Sequence, residues 1–391
     1  MFSSGKINLE ILQKNAYNLR WATVPDGVIP LTAADPDYPC APEIAEAIIK
    51  YSKDRYFSYG PADGHGFFKE SMARFFAEKR QVPATAAMVL PVDSAAFGID
   101  IVCSAFLEKG DEAIVFDPVD FLFRYAIEKN GATAIACPIN IDPTICFDVN
   151  VFNTLVTPKT KMICLCNPLN PIGKVFTKSE LEAIGEFAVE HNLMILSDEI
   201  WSDITFKPFD FVSIASLDLK IRERTIIVTG FSKSHGLAGL RIGVVAAFDS
   251  KQYQRIFDAS FHDSTIHGSN VLSQVAATAA LNQSEYWLAA FLEHLHSVRF
   301  LTVNGLNAIK GFSCHSPQGC YLAFVNIQET GLDSATLHKQ LYEVGNVAVV
   351  PGLTKWFGKG AEGYIRISFA TSHEIMAEAL ERINNTVNLL L

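Results

Sequence analysis

The sequence predicts an α/β fold: a large domain whose mostly parallel sheet is covered by helices on both faces, joined to a smaller α+β domain. Three observations carry this. Near-continuous apolar runs alternate with helical patterns from residue 86 to residue 248, the signature of strands buried on both faces. The chain has 391 residues, too long for one small core, and 49% of them are hydrophobic. After about residue 285 the alternation stops and a long helical stretch leads into short strands.

The elements follow in order. AAMVLPV (86–92) reads as a strand leading into DSAAFGIDIVCSAFLEKG, which has helical spacing and a Ser/Asp start. EAIVFDPV (112–119) and ATAIACPI (132–139) are strands separated by a helical segment containing Tyr125 and Ile127. KMICLCNP (161–168), the helix SELEAIGEFAVEHN (179–192) and LMILSDEI (193–200) come next. Thr177 and Glu180 have the T-x-x-E spacing of a capping box, which fixes that helix start. TIIVTG (225–230) and IGVVAAF (242–248) complete a large domain spanning 45–280. The helix EYWLAAFLEHLHSVRFLTVNGL, the strands CYLAFVNI, VAVVPG and YIRISFA, and two more helices form the smaller domain, 281–391, which residues 1–44 join. In such folds the active site lies at the C-terminal ends of the strands, here in the cleft between the domains.

Composition excludes several partners. A net charge of −10, with no run rich in lysine or arginine, argues against nucleic acid. No window approaches the length of uncharged apolar residues that a membrane span needs, and MFSSGKINLEILQKN lacks the apolar stretch of a signal peptide. The eight cysteines are scattered, as buried free thiols in a reducing cytosol would be. Cys164 and Cys166 share one strand face, but no second pair and no histidine accompany them, so no metal site is expected.

Polar residues collect just past the predicted strands. Ser94 opens a helix, Asn167 and Asn170 lie in NPLNPIG, Asp198 closes LMILSD, and Lys233 and Arg241 lie in FSKSHGLAGLRIG. Singly, each has an ordinary explanation as a cap or turn residue. Together they supply a lysine nucleophile, a phosphate-binding helix start with an arginine, and a carboxylate at the base of a cleft. Pyridoxal 5′-phosphate (PLP) needs that set: a lysine Schiff base and an acidic partner for its pyridine nitrogen.

The chain resembles fold-type I PLP-dependent enzymes of the aminotransferase class I/II family over nearly its whole length. The segments that carry the resemblance are DPDYPCAPEI (35–44), YGPADGHG (59–66), LEKGDEAIVFDP (107–118), CNPLNPIGKVF (166–176), SDEIWSD (197–203), SKSHGLAGLRIG (232–243) and EGYIRISFA (362–370). The resemblance implies that Lys233 carries the cofactor as a Schiff base. Once the substrate amine displaces it, Lys233 moves the proton between the substrate Cα and the cofactor C4′. Asp198 keeps the pyridine nitrogen protonated, and Asn170 bonds the phenolic oxygen and faces the substrate. Arg241 and Ser232 hold the phosphate, with the amides of Ala95 and Ala96 after Ser94 at the helix start. Tyr59 reaches that phosphate from a neighbouring subunit, so a homodimer is implied. Arg366 grips the substrate α-carboxylate, and closure of the small domain expels water.

Three positions depart from the family pattern. Asp120 stands where an aromatic residue usually stacks on the pyridine ring, with Phe121 and Phe123 beside it; a local shift lets either supply the ring, Phe123 is carried as the candidate, and the sequence does not decide between them. Trp201 replaces the usual Tyr or His and can only donate through its indole N–H. Gly230 stands where many relatives carry a hydroxyl.

Two reactions fit these residues. An aminotransferase moves the amino group between an L-amino acid and a 2-oxo acid, whereas a C–S β-lyase of the cystathionine β-lyase-like branch releases thiol, pyruvate and ammonia. The N-terminal LRWATVPDGVIPLTAADPDYPCAPEI and HGSNVLSQVAATAALNQSEYWL resemble the lyase-like branch, while GLAGLRIG with Arg241 resembles ordinary aminotransferases. The balance favours the aminotransferase. A dinucleotide-dependent dehydrogenase lacks its G-x-G-x-x-G loop, and a non-catalytic regulator has little need of Lys233, Asp198 and Arg366 together. His235, His262 and His267 are expected to be structural, His235 bonded to backbone.

Overall fold

The computed structural model describes residues 1–142 and 144–391. After the short strand β1 (Ile29–Pro30), seven strands build the central sheet. They are β2 (Val89–Val92), β3 (Glu112–Asp117), β4 (Thr133–Pro138), β5 (Thr160–Cys166), β6 (Met194–Asp198), β7 (Thr225–Gly230) and β8 (Gly243–Ala247). Their spatial order is β2-β8-β7-β6-β5-β3-β4, and only β8 runs against the others. β7 and β8 are buried at every position, which is why their sequences read as unbroken apolar runs. β4 sits at the sheet edge and leaves residues such as Thr133 exposed.

Helices cover this sheet as the spacing predicts. The Ala95–Phe106 helix begins at Ser94, whose Oγ accepts the Phe97 amide at 3.1 Å. The Lys178–Glu190 helix begins at the capping box of Thr177 and Glu180, both halves of which are formed. Much of the phenylalanine surplus is core: Phe116, Phe147, Phe152 and Phe176 pack ring to ring beneath the β3 side of the sheet.

The strands β9 (Ser313–Cys314), β10 (Leu322–Asn326), β11 (Val347–Ala348), β12 (Val350–Pro351) and β13 (Tyr364–Ser368) follow the long Glu285–Asn307 helix. Four of them form an antiparallel sheet in the order β12-β13-β10-β9. β11 instead pairs in parallel with β1, with Ile29 opposite Val347. The N-terminal segment stays with this second sheet beyond β1, because Leu31 accepts the Ser368 amide at 3.0 Å and Asp37 donates its amide to Ala370 at 3.0 Å. No helix of the described residues is long and apolar enough to cross a membrane.

Candidate active site

The C-terminal ends of β5, β6 and β7 and the turn before β8 open onto one cavity of about 260 Å³. Ser94, Ala95 and Ala96 line it from the helix start beside β2, and Arg366 reaches it from β13. The packing of that helix start depends on Gly243, which pairs with Val92 across β8. A Cβ at residue 243 would lie 2.5 Å from the Ser94 carbonyl carbon and 2.6 Å from the Ala95 nitrogen, so only glycine lets the amides approach this closely. Gly230 is also crowded: a Cβ there would meet the Ile242 carbonyl oxygen at 3.0 Å and Ile200 Cδ1 at 3.1 Å. A side chain there would have to displace these neighbours by a few tenths of an ångström.

Asp198 ends β6 with 8% of its surface exposed, and its Oδ1 accepts the Ile200 amide at 3.0 Å. Burial pushes its carboxyl up to about 7; the Ile200 amide opposes this and the neighbouring Asp120 reinforces it. A carboxyl so placed favours a cation beside it. Lys233 donates from Nζ to the Ala34 carbonyl at 2.7 Å, and Nζ stands 5.5 Å from the Trp201 ring centre. Burial lowers its pKa, opposed by Asp35 and reinforced by Arg366, which brings the amine nearer its nucleophilic form.

Arg366 donates from Nη1 to Asn170 Oδ1 at 3.0 Å and from Nη2 to the Thr32 carbonyl at 3.1 Å. Its Nε is buried without a hydrogen-bond partner. Asn170 in turn donates from Nδ2 to Asp120 Oδ2 at 2.9 Å. Arg241 adopts a left-handed backbone (φ 51°) just before β8, and its exposed side chain lines the same cavity, as Ser232 does.

Every side chain predicted for the site therefore lines this cavity except Tyr59, which is 89% exposed and packs on His267 with ring centres 5.3 Å apart. Between the two aromatic candidates, Phe123 is 1% exposed and lines the cavity, whereas Phe121 turns to Trp356, 5.4 Å between ring centres. Asn167 is not a cavity residue; its Oδ1 accepts the Phe176 amide at 3.1 Å and ties its own loop. His235 corrects one expectation: its Nδ1 meets the Ser234 hydroxyl at 2.7 Å rather than a backbone group. Sequence reasoning missed the acceptors for the two cations, the carbonyls of Thr32 and Ala34, and the Tyr321 hydroxyl, which also donates to Ala34 at 3.2 Å.

The donor set fits PLP. A helix start with an arginine suits a dianionic phosphate, the buried Asp198 suits a protonated ring nitrogen, and a lysine of lowered pKa suits an aldehyde. The fold and site thus define a fold-type I PLP-dependent enzyme.

Comparison with known proteins agrees and narrows the class. The family "Aminotransferase class I and II" matches residues 26–383. An aspartate aminotransferase of Pyrococcus abyssi is 32% identical over 365 residues, 92% of each chain. The crystal structure of an aromatic aminotransferase from Pyrococcus horikoshii superimposes with a TM-score of 0.88 at 30% identity, covering 95% of this chain and 99% of that one. A PLP-bound aminotransferase structure from Clostridium difficile 630 gives a TM-score of 0.90 at 26% identity, over 99% and 100% of the two chains. The chain belongs to the aminotransferase class I and II family. It is a PLP-dependent transferase, and with these relatives named aminotransferases the C–S lyase alternative is not favoured.

Proposed function

We propose that Lys233, Asp198 and Arg366 act together in this cavity to move an amino group from an L-amino acid to a 2-oxo acid. The observation that carries the reading is their convergence: a lysine of lowered pKa, a buried carboxyl raised to about 7 and a buried guanidinium whose Nε lacks a partner line one cavity. PLP, when bound, supplies an electron sink for the substrate Cα–H bond.

The chain's residues do the rest. Lys233 leaves the Ala34 carbonyl to hold the cofactor aldehyde. With the substrate amine in its place, the freed Nζ would be the group that moves a proton at the substrate Cα. Asp198 holds the proton on the pyridine nitrogen, and its burial strengthens that ion pair. Arg241, Ser232 and the amides of Ala95 and Ala96 fix the phosphate, while Asn170 orients the phenolic oxygen. Phe123 and Trp201 enclose the ring. Arg366 would meet the α-carboxylate with its guanidinium, and movement of the 1–44 and 281–391 unit against 45–280 would exclude water. The working form is a homodimer in which Tyr59 completes the partner's phosphate site. The exposed Tyr56, Phe57 and Tyr59 form an apolar run that suits such an interface.

The test is the visible spectrum of the PLP-loaded protein before and after single L-amino acids, with no oxo acid present. Lasting conversion to a pyridoxamine-type absorption, with one equivalent of 2-oxo acid released per site, is expected. A spectrum that recovers while L-cystathionine yields pyruvate and thiol would overturn the proposal in favour of the lyase.

A further inference from the structure

Asp120 is the charged group in the cavity for which the transamination reading has no task. It follows β3 in the loop where an aromatic residue was expected, and three bonds fix it. Its amide donates to the Asn170 carbonyl at 3.2 Å, its Oδ1 accepts the Leu122 amide at 3.3 Å, and its Oδ2 accepts Asn170 Nδ2 at 2.9 Å. The same Oδ2 lies 4.0 Å from Arg366 Nη1. The carboxylate is thus held beside the guanidinium that meets the substrate.

Counting charges in the cavity gives the consequence. Among the described residues its lining cations are Lys233, Arg241 and Arg366. The first is taken by the cofactor aldehyde, the second by phosphate and the third by the α-carboxylate. Asp120 offsets Arg366 before any substrate arrives. A substrate with one carboxylate leaves no further anion to neutralise. One with two carboxylates brings a second anion into a cavity that already holds Asp120 and to which, among the described residues, this chain contributes no further cation.

We propose that Asp120 is a specificity-determining residue that selects L-amino acids with uncharged or cationic side chains and rejects the dicarboxylic ones. The inference rests on the transamination reading of the site. A carboxylate held about 8 Å from another at an effective dielectric of about 20 is disfavoured about thirtyfold. Discrimination on the order of tenfold or more is therefore expected after screening.

Two measurements test this on the PLP-loaded protein. Calorimetry gives Kd for two non-reacting acids, 4-methylpentanoate with one carboxylate and succinate with two. Half-transamination rates are compared for L-leucine and L-lysine against L-aspartate and L-glutamate. Succinate is expected to bind at least about tenfold more weakly than 4-methylpentanoate, aspartate and glutamate to react most slowly, and Asp120→Asn to shrink both ratios severalfold. Succinate binding as tightly as the monoacid, or aspartate or glutamate reacting fastest, overturns the proposal, and the wild-type protein alone delivers that result. Discrimination between the two acids that Asp120→Asn abolishes, without turnover of any amino acid, would support the role of Asp120 while sinking the transamination reading, and discrimination that Asp120→Asn leaves unchanged overturns the proposal.

Discussion

Removing the Asp198 carboxyl should stabilise the cofactor-free protein and cripple the loaded one. Burial raises this carboxyl from 3.8 to about 7. A carboxyl raised on folding lends stability that is complete below its unfolded pKa and is lost as pH rises through the folded value. The shift spans about three units, so about 4 kcal/mol disappears between pH 4 and pH 8 at 1.36 kcal/mol per unit. About 3 kcal/mol of that falls between pH 5 and pH 8. Asp198→Asn has no such titration. Glu199, which burial also raises to about 7, is present in both proteins; the Asp198 charge is the smallest of the causes of its shift, so most of its contribution cancels in the difference. Urea unfolding of PLP-free wild type and Asp198→Asn at pH 5, 6, 7 and 8 should give a stability gap that widens by about 3 kcal/mol in the variant's favour. Adding PLP should reverse the order at pH 8, because only the wild type gains a buried ion pair with the ring nitrogen. A gap that stays flat with pH would refute the burial argument, and equal stabilisation of both proteins by PLP would refute the pyridine pairing.

Other substitutions separate the remaining roles. Lys233→Ala should bind PLP without a covalent link, so borohydride should add the cofactor mass to wild type and not to the variant by mass spectrometry. Gly243→Ala should push the Ser94–Ala95 backbone away from β8, costing about 1–3 kcal/mol and weakening PLP binding about tenfold in a fluorescence titration. Arg366→Lys keeps the charge but loses the planar fork. It should lower kcat/KM for the amino acid by about 2 kcal/mol, roughly thirtyfold, with the spectrum of the loaded protein unchanged. Tyr59→Phe should weaken PLP binding severalfold without altering monomer unfolding, and a variant that binds PLP normally would remove Tyr59 from the phosphate site.

The sheet was legible because burial on both faces leaves a plain mark: β5, β7 and β8 are apolar almost throughout, and the capping box marks a helix start to within a residue. The cavity was legible because its side chains sit at strand ends, where topology gathers them regardless of loop detail. Contacts decided by distant packing were not. Whether Phe121 or Phe123 faces the cavity depends on Trp356, more than two hundred residues away, which takes the first ring and leaves the second. The tightness around Gly230 comes from Ile200 and Ile242, and the sequence shows only an unexplained glycine. β1 is two residues long and pairs with Val347 and Ala348, a contact with no local pattern to announce it.

The two cation acceptors were invisible for a deeper reason: they are backbone carbonyls, which every residue has. Thr32 accepts from Arg366 and Ala34 from Lys233. They are two residues apart on a segment whose hydrogen bonds run to the second sheet, through Leu31 to Ser368 and Asp37 to Ala370. Arg20 secures the same segment from the other side, its Nη2 2.5 Å from both the Asp35 carbonyl and Asp37 Oδ1. Arg366 belongs to that sheet, whereas Lys233 follows β7 of the central one. The bond from Lys233 to Ala34 therefore links the central sheet to the segment that also accepts from Arg366, so the two cations of the cavity are held by one stretch of backbone.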